Sequence, residues 1–387
     1  MKICTVTGSR AEFYILKNLI KKLQKNNFFK HHLVVTGSHN SNIFGNNINK
    51  IKKEKINIGS KVICPLKEDK EIDISKSFAV GIRAFAKIFL KIKPDILLIL
   101  GDRHEIFAAA VAACFNRIPI AHIHGGESTE GAIDEAIRHS ITKLSHIHFV
   151  TANEYFNRVK QLGENKKNIF NIGSMGVESI HKISLLKKKY IEEKLNIKLN
   201  KKNILVTLHP ETLKSKNENK NNIKVILNSL KNMKNTTIIF TMPGADANFK
   251  IITNEIRKFV TKNSNSYFFK SLGDEIYFSL CNIVDFMLGN SSSGIIEMPS
   301  FKKATINVGE RQKGRLKPGS VIDVDFNEKE IKGVIKYLYT RQFQKNLKKV
   351  TNPYDKGNSS DKLIKILKKI KLKNILSKKF FDYRIIA

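Results

Sequence analysis

The densest group of ionisable side chains lies in the first half of the sequence. His122 and His124 alternate along an apolar, strand-like segment, a Gly-Gly pair follows them, and Glu127 comes next. Asp134 and Arg138 stand four residues apart, which places two side chains on one face of a helix. Histidines beside carboxylates favour general acid–base chemistry. A zinc site built on His-x-His and a core histidine with capping acids are the alternatives.

Two other segments of the first half place polar residues directly after an apolar, strand-like run. Residues 8–12 put Arg10 at a glycine turn that opens a helix, which favours a phosphate, with a plain turn and surface arginine as the alternative. This turn lacks the GxGxxG fingerprint, so a nicotinamide cofactor is not indicated. Residues 101–105 put Asp102 at a helix start, either as an N-cap or as a carboxylate of the site.

The second half contributes a histidine and a serine-rich loop. His209 ends a buried strand, as a structural histidine or as part of the site. Residues 289–297 offer backbone amides and hydroxyls at a helix start, which suits a diphosphate better than a plain turn. Residues 309–315 add cations, and Glu297 follows within reach of a ribose hydroxyl. The predicted diphosphate and nucleotide ligands of this half are His209, Ser291, Ser292, Ser293, Gly294, Glu297, Arg311 and Arg315.

These side chains are positioned by strands and helices that alternate along the chain. The strands are rich in Val, Ile and Leu without period-2 alternation, as in parallel strands covered on both faces. Strands are predicted at residues 2–7, 32–36, 61–66, 95–100, 118–124, 146–151, 168–172, 204–208, 236–242, 266–269, 283–288 and 304–308. Helices are predicted at residues 11–24, 75–91, 103–115, 133–144, 154–162, 183–195, 220–231, 248–261, 274–280, 293–300 and 359–379, and loops or turns at 214–222.

This alternation predicts the α/β class, with two doubly wound, Rossmann-like domains in tandem and a cleft between their sheet edges. The N-terminal domain, 1–180, carries the acid–base cluster. The C-terminal domain, 181–358, carries the diphosphate loops, and residues 359–387 form a Lys-rich C-terminal helix.

Composition agrees with a folded enzyme. The chain has 387 residues, of which 41% are hydrophobic and 9% aromatic, enough for two cores. The longest apolar runs are too short for a membrane span or a signal peptide, so a cytoplasmic protein is expected. Four scattered cysteines without CxxC spacing indicate neither zinc nor disulfides, and their apolar surroundings predict buried thiols.

The net charge of +35 raises the alternative of a polyanion-binding protein. Lysines outnumber arginines 58 to 11 and are spread over the whole chain. Proteins that recognise phosphates or bases rely more on arginine than on lysine. No nucleic-acid module is recognisable in the sequence. The charge therefore reflects composition bias, and no specific nucleic-acid or membrane partner is expected.

The ordered motifs resemble the hydrolysing UDP-N-acetylglucosamine 2-epimerases, bacterial enzymes of sialic and related nonulosonic acid synthesis. The resemblance covers nearly the whole chain. It implies a glycosyltransferase-B arrangement, a C-terminal helix packed back on the first domain, a homodimer and no cofactor. The matching segments are residues 8–12, 101–103, 122–127, 137–143, 209–212, 289–294 and 309–315.

The resemblance implies that a base removes the C2 proton of UDP-N-acetylglucosamine, UDP leaves from C1, and water adds to the glycal to give N-acetylmannosamine. Asp102 and Asp134 match catalytic carboxylates of the family. By position, His209 and Arg10 match phosphate-side residues, and Ser291, Ser292 and Glu297 match nucleotide contacts. Some members carry Glu in place of His124, so either His124 or Glu127 is the third catalytic group.

Two questions stay open at the level of sequence. The donor is UDP-N-acetylglucosamine, GDP-N-acetylglucosamine or a UDP-linked 2,4-diacetamido sugar of legionaminic acid synthesis. A glycosyltransferase of the same fold is a further alternative, which the carboxylate-rich cluster disfavours.

Overall fold

A computed structural model of the chain describes residues 1–40, 47–64, 71–244 and 246–383. The chain divides into two compact units. Unit 1 comprises Met1–Glu127, Asp134–Ser179 and Tyr354–Ala387, and unit 2 comprises Ser128–Ile133 and Ile180–Pro353. The short segment that follows Glu127 therefore belongs to unit 2.

Each unit is built on a parallel β-sheet, as the β-rich segments predict. Over the described residues, the sheet of unit 1 has seven strands in the order β3-β2-β1-β4-β5-β6-β7, and that of unit 2 has six in the order β10-β9-β8-β11-β12-β13. The strands are β1 (Lys2–Thr7), β2 (Lys30–Val35), β3 (Ser60–Lys61), β4 (Ile96–Leu100), β5 (Ile120–Ile123), β6 (Ile147–Val150), β7 (Ile169–Asn171), β8 (Lys202–Thr207), β9 (Thr236–Thr241), β10 (Ser266–Phe269), β11 (Phe286–Gly289), β12 (Ala304–Val308) and β13 (Val321–Val324).

Helices connect the strands. The helices are α1 (Arg10–Lys25), α2 (Asn47–Lys53), α3 (Glu71–Ile92), α4 (His104–Phe115), α5 (Asp134–Leu144), α6 (Asn153–Gln161), α7 (Met175–Ile180), α8 (Lys188–Leu195), α9 (Lys216–Leu230), α10 (Phe249–Lys262), α11 (Asp274–Ile283), α12 (Ser293–Ile296), α13 (Glu328–Leu338), α14 (Arg341–Leu347) and α15 (Ser359–Lys369). None of them, within the described ranges, has the length and apolar character that a membrane crossing requires.

Alternate residues of each strand enter the cores on opposite faces of its sheet. In β1, Ile3 packs into one core of unit 1 and Cys4 into the other. In β8, Ile204 and Leu205 divide in the same way between the two cores of unit 2. A sheet covered on both faces leaves its strand ends as the places where polar side chains reach solvent or a ligand. The predicted α/β class with two doubly wound sheets is confirmed.

Several local predictions were wrong. The predicted loop at 214–222 contains the start of α9, where Ser215 and Glu218 form a capping box. The predicted helix at 293–300 is the short α12, followed by a 3₁₀ turn, Met298–Phe301, with Pro299 in its first turn. The elements that were not predicted are β13, α2, α7, α13 and α14.

Three more predictions need correction. The strand predicted at 61–66 is β3, which ends at Lys61, and its last two positions lie outside the described residues. The helix predicted at 359–379 ends at Lys369, because Ile370 already has an extended backbone. Cys4, Cys64 and Cys281 are buried as expected, whereas Cys114 is exposed at the end of α4.

The C-terminal segment is anchored to unit 1 by packing and by a buried carboxylate. Leu363 and Leu367 of α15 join the core beneath α1. Beyond the helix, the Lys378 ammonium donates to the Lys143 and Ser145 carbonyls at 2.6 and 2.7 Å. It also lies 2.8 Å from Oε2 of Glu164.

Glu164 is the centre of this anchor. It is 2% exposed and accepts hydrogen bonds from Lys143 and His148. Although burial acts to raise it, the hydrogen bonds from His148, Lys143 and Lys378 lower the pKa of Glu164 to about 2. Its charge therefore stabilises the fold at neutral pH, and this stabilisation is lost only as pH falls from the ordinary carboxyl range toward 2.

We expect Lys378→Met to lower the free energy of unfolding by about 1–3 kcal/mol, because a charged hydrogen bond to a buried carboxylate is lost. Urea unfolding of the full chain at pH 7 measures the change. Lys379→Met, next along the chain and exposed, is the matched control for charge. Equal decreases in the free energy of unfolding in the two variants would show that Lys378 does not anchor the C-terminal segment.

Candidate active site

The loops that carry the predicted site residues lie at the switch points of the two sheets. In unit 1, β1 is paired with β2 on one side and β4 on the other. In unit 2, β8 is likewise paired with β9 and β11. The segments after β1 and β4 carry Arg10 and Asp102, and those after β8 and β11 carry His209 and Ser291. Ligands of open parallel sheets bind at such points.

Arg138 is the central cation of the unit 1 site. Its side chain is 1% exposed, whereas that of Asp102 is 23% exposed. Nε and Nη2 both bond to Oδ2 of Asp102, the former at 2.9 Å. Nη1 donates to the carbonyl oxygen of Glu127 and to Oε2 of Glu135, each at 2.9 Å. Arg138 thus joins the end of β4, the end of the β5 loop and helix α5.

His124 and Glu127 form a second pair. Nδ1 of His124 lies 3.0 Å from Oε1 of Glu127, and the Thr151 hydroxyl donates to the same oxygen at 3.1 Å. All three side chains are buried. Nε2 of His124 is buried and has no hydrogen-bond partner among the described residues. The backbone at His124 has φ of 66°, a left-handed conformation that a histidine adopts at a cost.

His122 has a structural role instead. Its Nε2 donates to the carbonyl oxygen of Gly101 at 2.8 Å, and its Nδ1 lies 3.2 Å from the Thr142 hydroxyl. Burial lowers the pKa of His122 to about 3, so the ring is neutral. Both ring nitrogens of His122 are therefore engaged in hydrogen bonds. In the described part of the chain, no three His, Cys, Asp or Glu side chains are grouped to hold a metal ion.

The loop after β1 rests on two buried carboxylates. Ser9 caps α1, and Oε2 of Glu12 accepts the Gly8 amide proton at 2.7 Å. Glu105 packs so closely that a Cβ on Gly8 would lie 2.4 Å from its Cγ. Burial and the charge of Glu105 raise the pKa of Glu12. Burial acts to raise the pKa of Glu105, but the charge of Arg103 lowers it to about 2, so Glu105 is ionised. Arg10 is the first residue of α1, where an anion is favoured.

Asp134 is the first residue of α5, the helix that carries Arg138. The chain leading to it, Ser128–Ile133, packs within unit 2. Glu130 donates its amide proton to the carbonyl oxygen of Lys313 at 3.1 Å. Ile133 donates to the Thr212 hydroxyl at 2.9 Å. The segment between Glu127 and Asp134 is therefore held by the loops that carry the predicted cations.

The serine-rich loop of unit 2 opens helix α12. Ser291 is buried, Ser292 and Ser293 are half-buried, and the Ser293 hydroxyl accepts a hydrogen bond from Tyr277 at 2.7 Å. Burial raises the pKa of Tyr277, so it stays a neutral donor. Gly294 packs against Thr305, whose hydroxyl donates to the Gly294 carbonyl at 2.6 Å.

The remaining predicted ligands, Glu297, Arg311 and Arg315, lie in the segments that follow β11 and β12. Oε1 of Glu211 accepts the amide protons of Glu310 and Arg311 at 2.7 and 3.1 Å. Nη1 of Arg311 donates to the carbonyl oxygen of Asn290 at 3.1 Å. Glu297 and Arg315 are 8% and 9% exposed, so both are largely withdrawn from solvent.

The structure thus brings together most of the predicted residues within each unit. Hydrogen bonds join Asp102, Arg138 and Glu127, and Glu127 is paired with His124. Residues that sequence reasoning missed are the supporting ones, Asn290, Glu211 and Tyr277. Asn290 and Glu211 lie inside motifs that were singled out, whereas Tyr277 gives no local signal, because it reaches Ser293 only through the fold.

Comparison with solved structures identifies the class of fold. The S. aureus MnaA–UDP co-structure aligns with a TM-score of 0.79 at 19% sequence identity and covers 99% of this chain and 100% of that chain. This likeness shows the two-domain, glycosyltransferase-B-like α/β fold and confirms the predicted fold class.

Sequence comparison identifies the family. The family described as UDP-N-acetylglucosamine 2-epimerase matches residues 21–368. GDP/UDP-N,N′-diacetylbacillosamine 2-epimerase (hydrolyzing) of Campylobacter jejuni is 42% identical over 383 residues, 98% of this chain and 99% of that protein. Polysialic acid biosynthesis protein P7 of Escherichia coli is 39% identical over 98% of this chain and 97% of its own length. The chain belongs to the UDP-N-acetylglucosamine 2-epimerase family and is an epimerase.

We expect Gly294→Ala to lower the free energy of unfolding by about 1–3 kcal/mol through overpacking. The added Cβ would lie 2.5 Å from Cγ2 of Thr305. Thr305→Ser removes that methyl group and keeps the hydroxyl, so the penalty should fall by at least half in the double variant. A double-mutant cycle of urea unfolding measures this coupling.

Gly333→Ala is the control for the change of residue type, since nothing lies within 4 Å of a Cβ there. It should stabilise helix α13 by about 0.5–1 kcal/mol. The same Gly294→Ala penalty with Thr305 and with Ser at position 305 would refute the steric explanation.

Proposed function

We propose that the chain is a hydrolysing nucleotide-sugar 2-epimerase, which converts UDP-N-acetylglucosamine to N-acetylmannosamine and UDP. A base takes the C2 proton, the C2–H electron pair becomes the C1=C2 double bond, and the C1–O bond breaks with its electrons going to the diphosphate. Water then adds to the glycal, with hydroxyl at C1 and a proton at C2, to give the manno configuration. One water is consumed for each nucleotide released.

The observation that carries this proposal is the buried acid–base arrangement at the switch point of unit 1. A 2-epimerisation needs groups that take and return protons at C2. Departure of the diphosphate needs donors for its developing charge. Unit 1 supplies the acid–base groups, and the loops of unit 2 supply amides, hydroxyls and arginines. The name of the C. jejuni relative includes hydrolysis, and that of the E. coli relative includes polysialic acid biosynthesis, which supports the proposal.

Asp102 is the residue we assign to C2 deprotonation. Two bonds from the buried Arg138 hold its side chain in place, and its partial exposure leaves it accessible. Asp134, at the start of α5, is assigned to proton transfer during hydration. Arg138 is a positioning residue, because it holds the Asp102 carboxylate in place.

The contact between His124 and Glu127 supports a joint role rather than a choice between them. Glu127 can only accept, so the proton shared with His124 lies on Nδ1. That tautomer leaves the lone pair of the ring on the unpartnered Nε2. We therefore assign His124 as the third acid–base group, oriented by Glu127 as a carboxylate orients the histidine of a triad.

The diphosphate is assigned to the loops after β8, β11 and β12 in unit 2. Arg10, at a helix start in unit 1, remains a predicted phosphate-side residue. His209, the Ser291–Ser293 hydroxyls and the side chains of Arg311 and Arg315 supply donors, and Gly294 belongs to the same serine-rich loop. Glu297 is assigned to a ribose hydroxyl. A homodimer acting in the cytoplasm belongs to the same proposal.

A second donor has a specific observation in its favour. The relative that is 42% identical is named for a diacetylated bacillosamine donor linked to GDP or UDP. UDP-linked 2,4-diacetamido-trideoxyglucose is therefore the competing substrate, and GDP-N-acetylglucosamine is the third donor to test.

Proton NMR in D2O tests the reaction with all three donors. We expect free nucleotide and a manno-configured sugar with deuterium at C2, because the added proton comes from solvent. The donor with the highest kcat/KM is the preferred substrate.

A nucleotide-linked manno sugar would show epimerisation without hydrolysis. Transfer to an added acceptor with little turnover of the donor alone would favour the glycosyltransferase alternative. No nucleotide release from any donor would overturn the proposal.

We expect Glu127→Gln to lower kcat by about 10²- to 10⁴-fold with a small change in KM, because the imidazolium loses its partner charge. His124→Gln should cost at least as much, and the double variant should fall no further, since the two residues act as a unit. Steady-state nucleotide release measures all three variants.

Glu154→Gln, an exposed change of the same charge in α6, is the control and should retain full activity. Additive losses in the double variant would refute the paired role and would make Glu127 an independent catalytic group.

A further inference from the structure

Asn290 makes an unusually complete set of hydrogen bonds between two loops of unit 2. It is 0% exposed. Its Oδ1 accepts the His209 amide proton at 2.7 Å, and its Nδ2 donates to the His209 carbonyl oxygen at 2.9 Å. Its own carbonyl oxygen accepts from Arg311 and from Gln312 at 3.1 and 3.0 Å. One residue therefore fixes both backbone groups of His209 and the side chains of two neighbours.

The ring of His209 is held by a separate contact. The Gly244 backbone amide donates to Nδ1 of His209 at 3.0 Å. A backbone amide can only donate, so Nδ1 is the acceptor and the ring proton lies on Nε2. Oδ2 of Asp246 lies 3.9 Å from Nδ1, which is beyond hydrogen-bond distance. His209 is thus a neutral ring with an Nε2–H donor.

The geometry points to Asn290 as a positioning residue that holds His209 as a fixed Nε2–H donor to the departing diphosphate. This inference rests on the proposed function. The diphosphate gains negative charge as the C1–O bond breaks, and a donor aimed at that charge gains strength in the transition state. The Nε2–H proton stays on the ring throughout, so the step needs no further acid.

The two side-chain contacts between Asn290 and His209 require an amide. It accepts from an N–H group and donates to a carbonyl oxygen at the same time. An aspartate of the same shape would keep the first bond and place an oxygen against the carbonyl oxygen of His209. An alanine would lose both bonds and leave a buried amide and carbonyl unpaired.

Three variants test this inference in the full chain. Asn290→Asp removes one of the two side-chain bonds to His209, and Asn290→Ala removes both. Asn203→Ala is the matched control, because Asn203 is also buried and its side chain bonds to the Asn200 carbonyl at 3.0 Å. It lies in β8, the strand that precedes His209, but near the start of that strand.

The first readout is kinetic. We expect both Asn290 variants to lower kcat about 10- to 100-fold, with KM changed less than about threefold. Asn203→Ala should lower the melting temperature and keep kcat and KM within about twofold. In a His209→Ala chain, Asn290→Ala should have no further effect on kcat. Equal losses of kcat in Asn203→Ala and Asn290→Ala, or additive losses with His209→Ala, would overturn the inference.

The second readout does not depend on turnover. ¹⁵N NMR of the imidazole groups reports which nitrogen carries the proton, with His209→Gln used to assign the signal. The nucleotide-free chain should show a single Nε2–H tautomer for His209, and the Asn290 variants should show a mixture. An unchanged tautomer and unchanged kcat in Asn290→Ala would refute the positioning role.

The two readouts separate the inference from the proposed function. If the wild-type chain turned over none of the three donors, the proposed reaction would fail, and the tautomer would still decide whether Asn290 fixes His209. If the chain were active and the Asn290 variants kept both the tautomer and kcat, only the inference would fail.

Discussion

A guanidinium that is almost wholly removed from water must be surrounded by acceptors, and the site of unit 1 is built around this requirement. Arg138 is 1% exposed and reaches Asp102, Glu135 and the carbonyl oxygen of Glu127. These acceptors come from the end of β4, from the β5 loop and from the first turn of α5. Satisfying one buried charge therefore fixes the end of β4, the end of the β5 loop and the first turns of α5 relative to one another.

In unit 2, an amide side chain and a carboxylate hold the candidate site loops in place. Asn290 and Glu211 tie together the loops after β8, β11 and β12 through neutral or backbone-directed hydrogen bonds. Close approach of the backbone makes this possible, because a Cβ on Gly289, whose φ is 137°, would lie 2.0 Å from the Thr207 carbonyl oxygen. Glycine is required there for both conformation and space.

The strand–helix alternation could be predicted from the sequence, and the proposed site residues were found at strand ends, because buried parallel strands and polar strand ends leave strong local signals. The start of α9 could also have been predicted, because Ser215 and Glu218 have the spacing of a capping box. The Asn- and Lys-rich composition of this segment favoured a loop instead. Tyr277 and Ser293 could not be paired from sequence, because their contact exists only after β11 and α11 have packed. The end of α15 was missed because its Lys-rich pattern continues beyond Lys369, while the chain turns to bring Lys378 to Glu164.

The contrast between the two units follows from what each is proposed to do. Moving protons at a carbon atom requires groups that change charge, and such groups function when buried only if fixed partners compensate them, as Arg138 does for Asp102 and Glu127 for His124. Releasing a diphosphate requires donors whose protonation stays constant while the ligand gains charge, as amides, hydroxyls and a neutral imidazole do. The ion pairs at the end of β4 and the hydrogen-bond network around Asn290 therefore meet two different electrostatic demands of the proposed reaction.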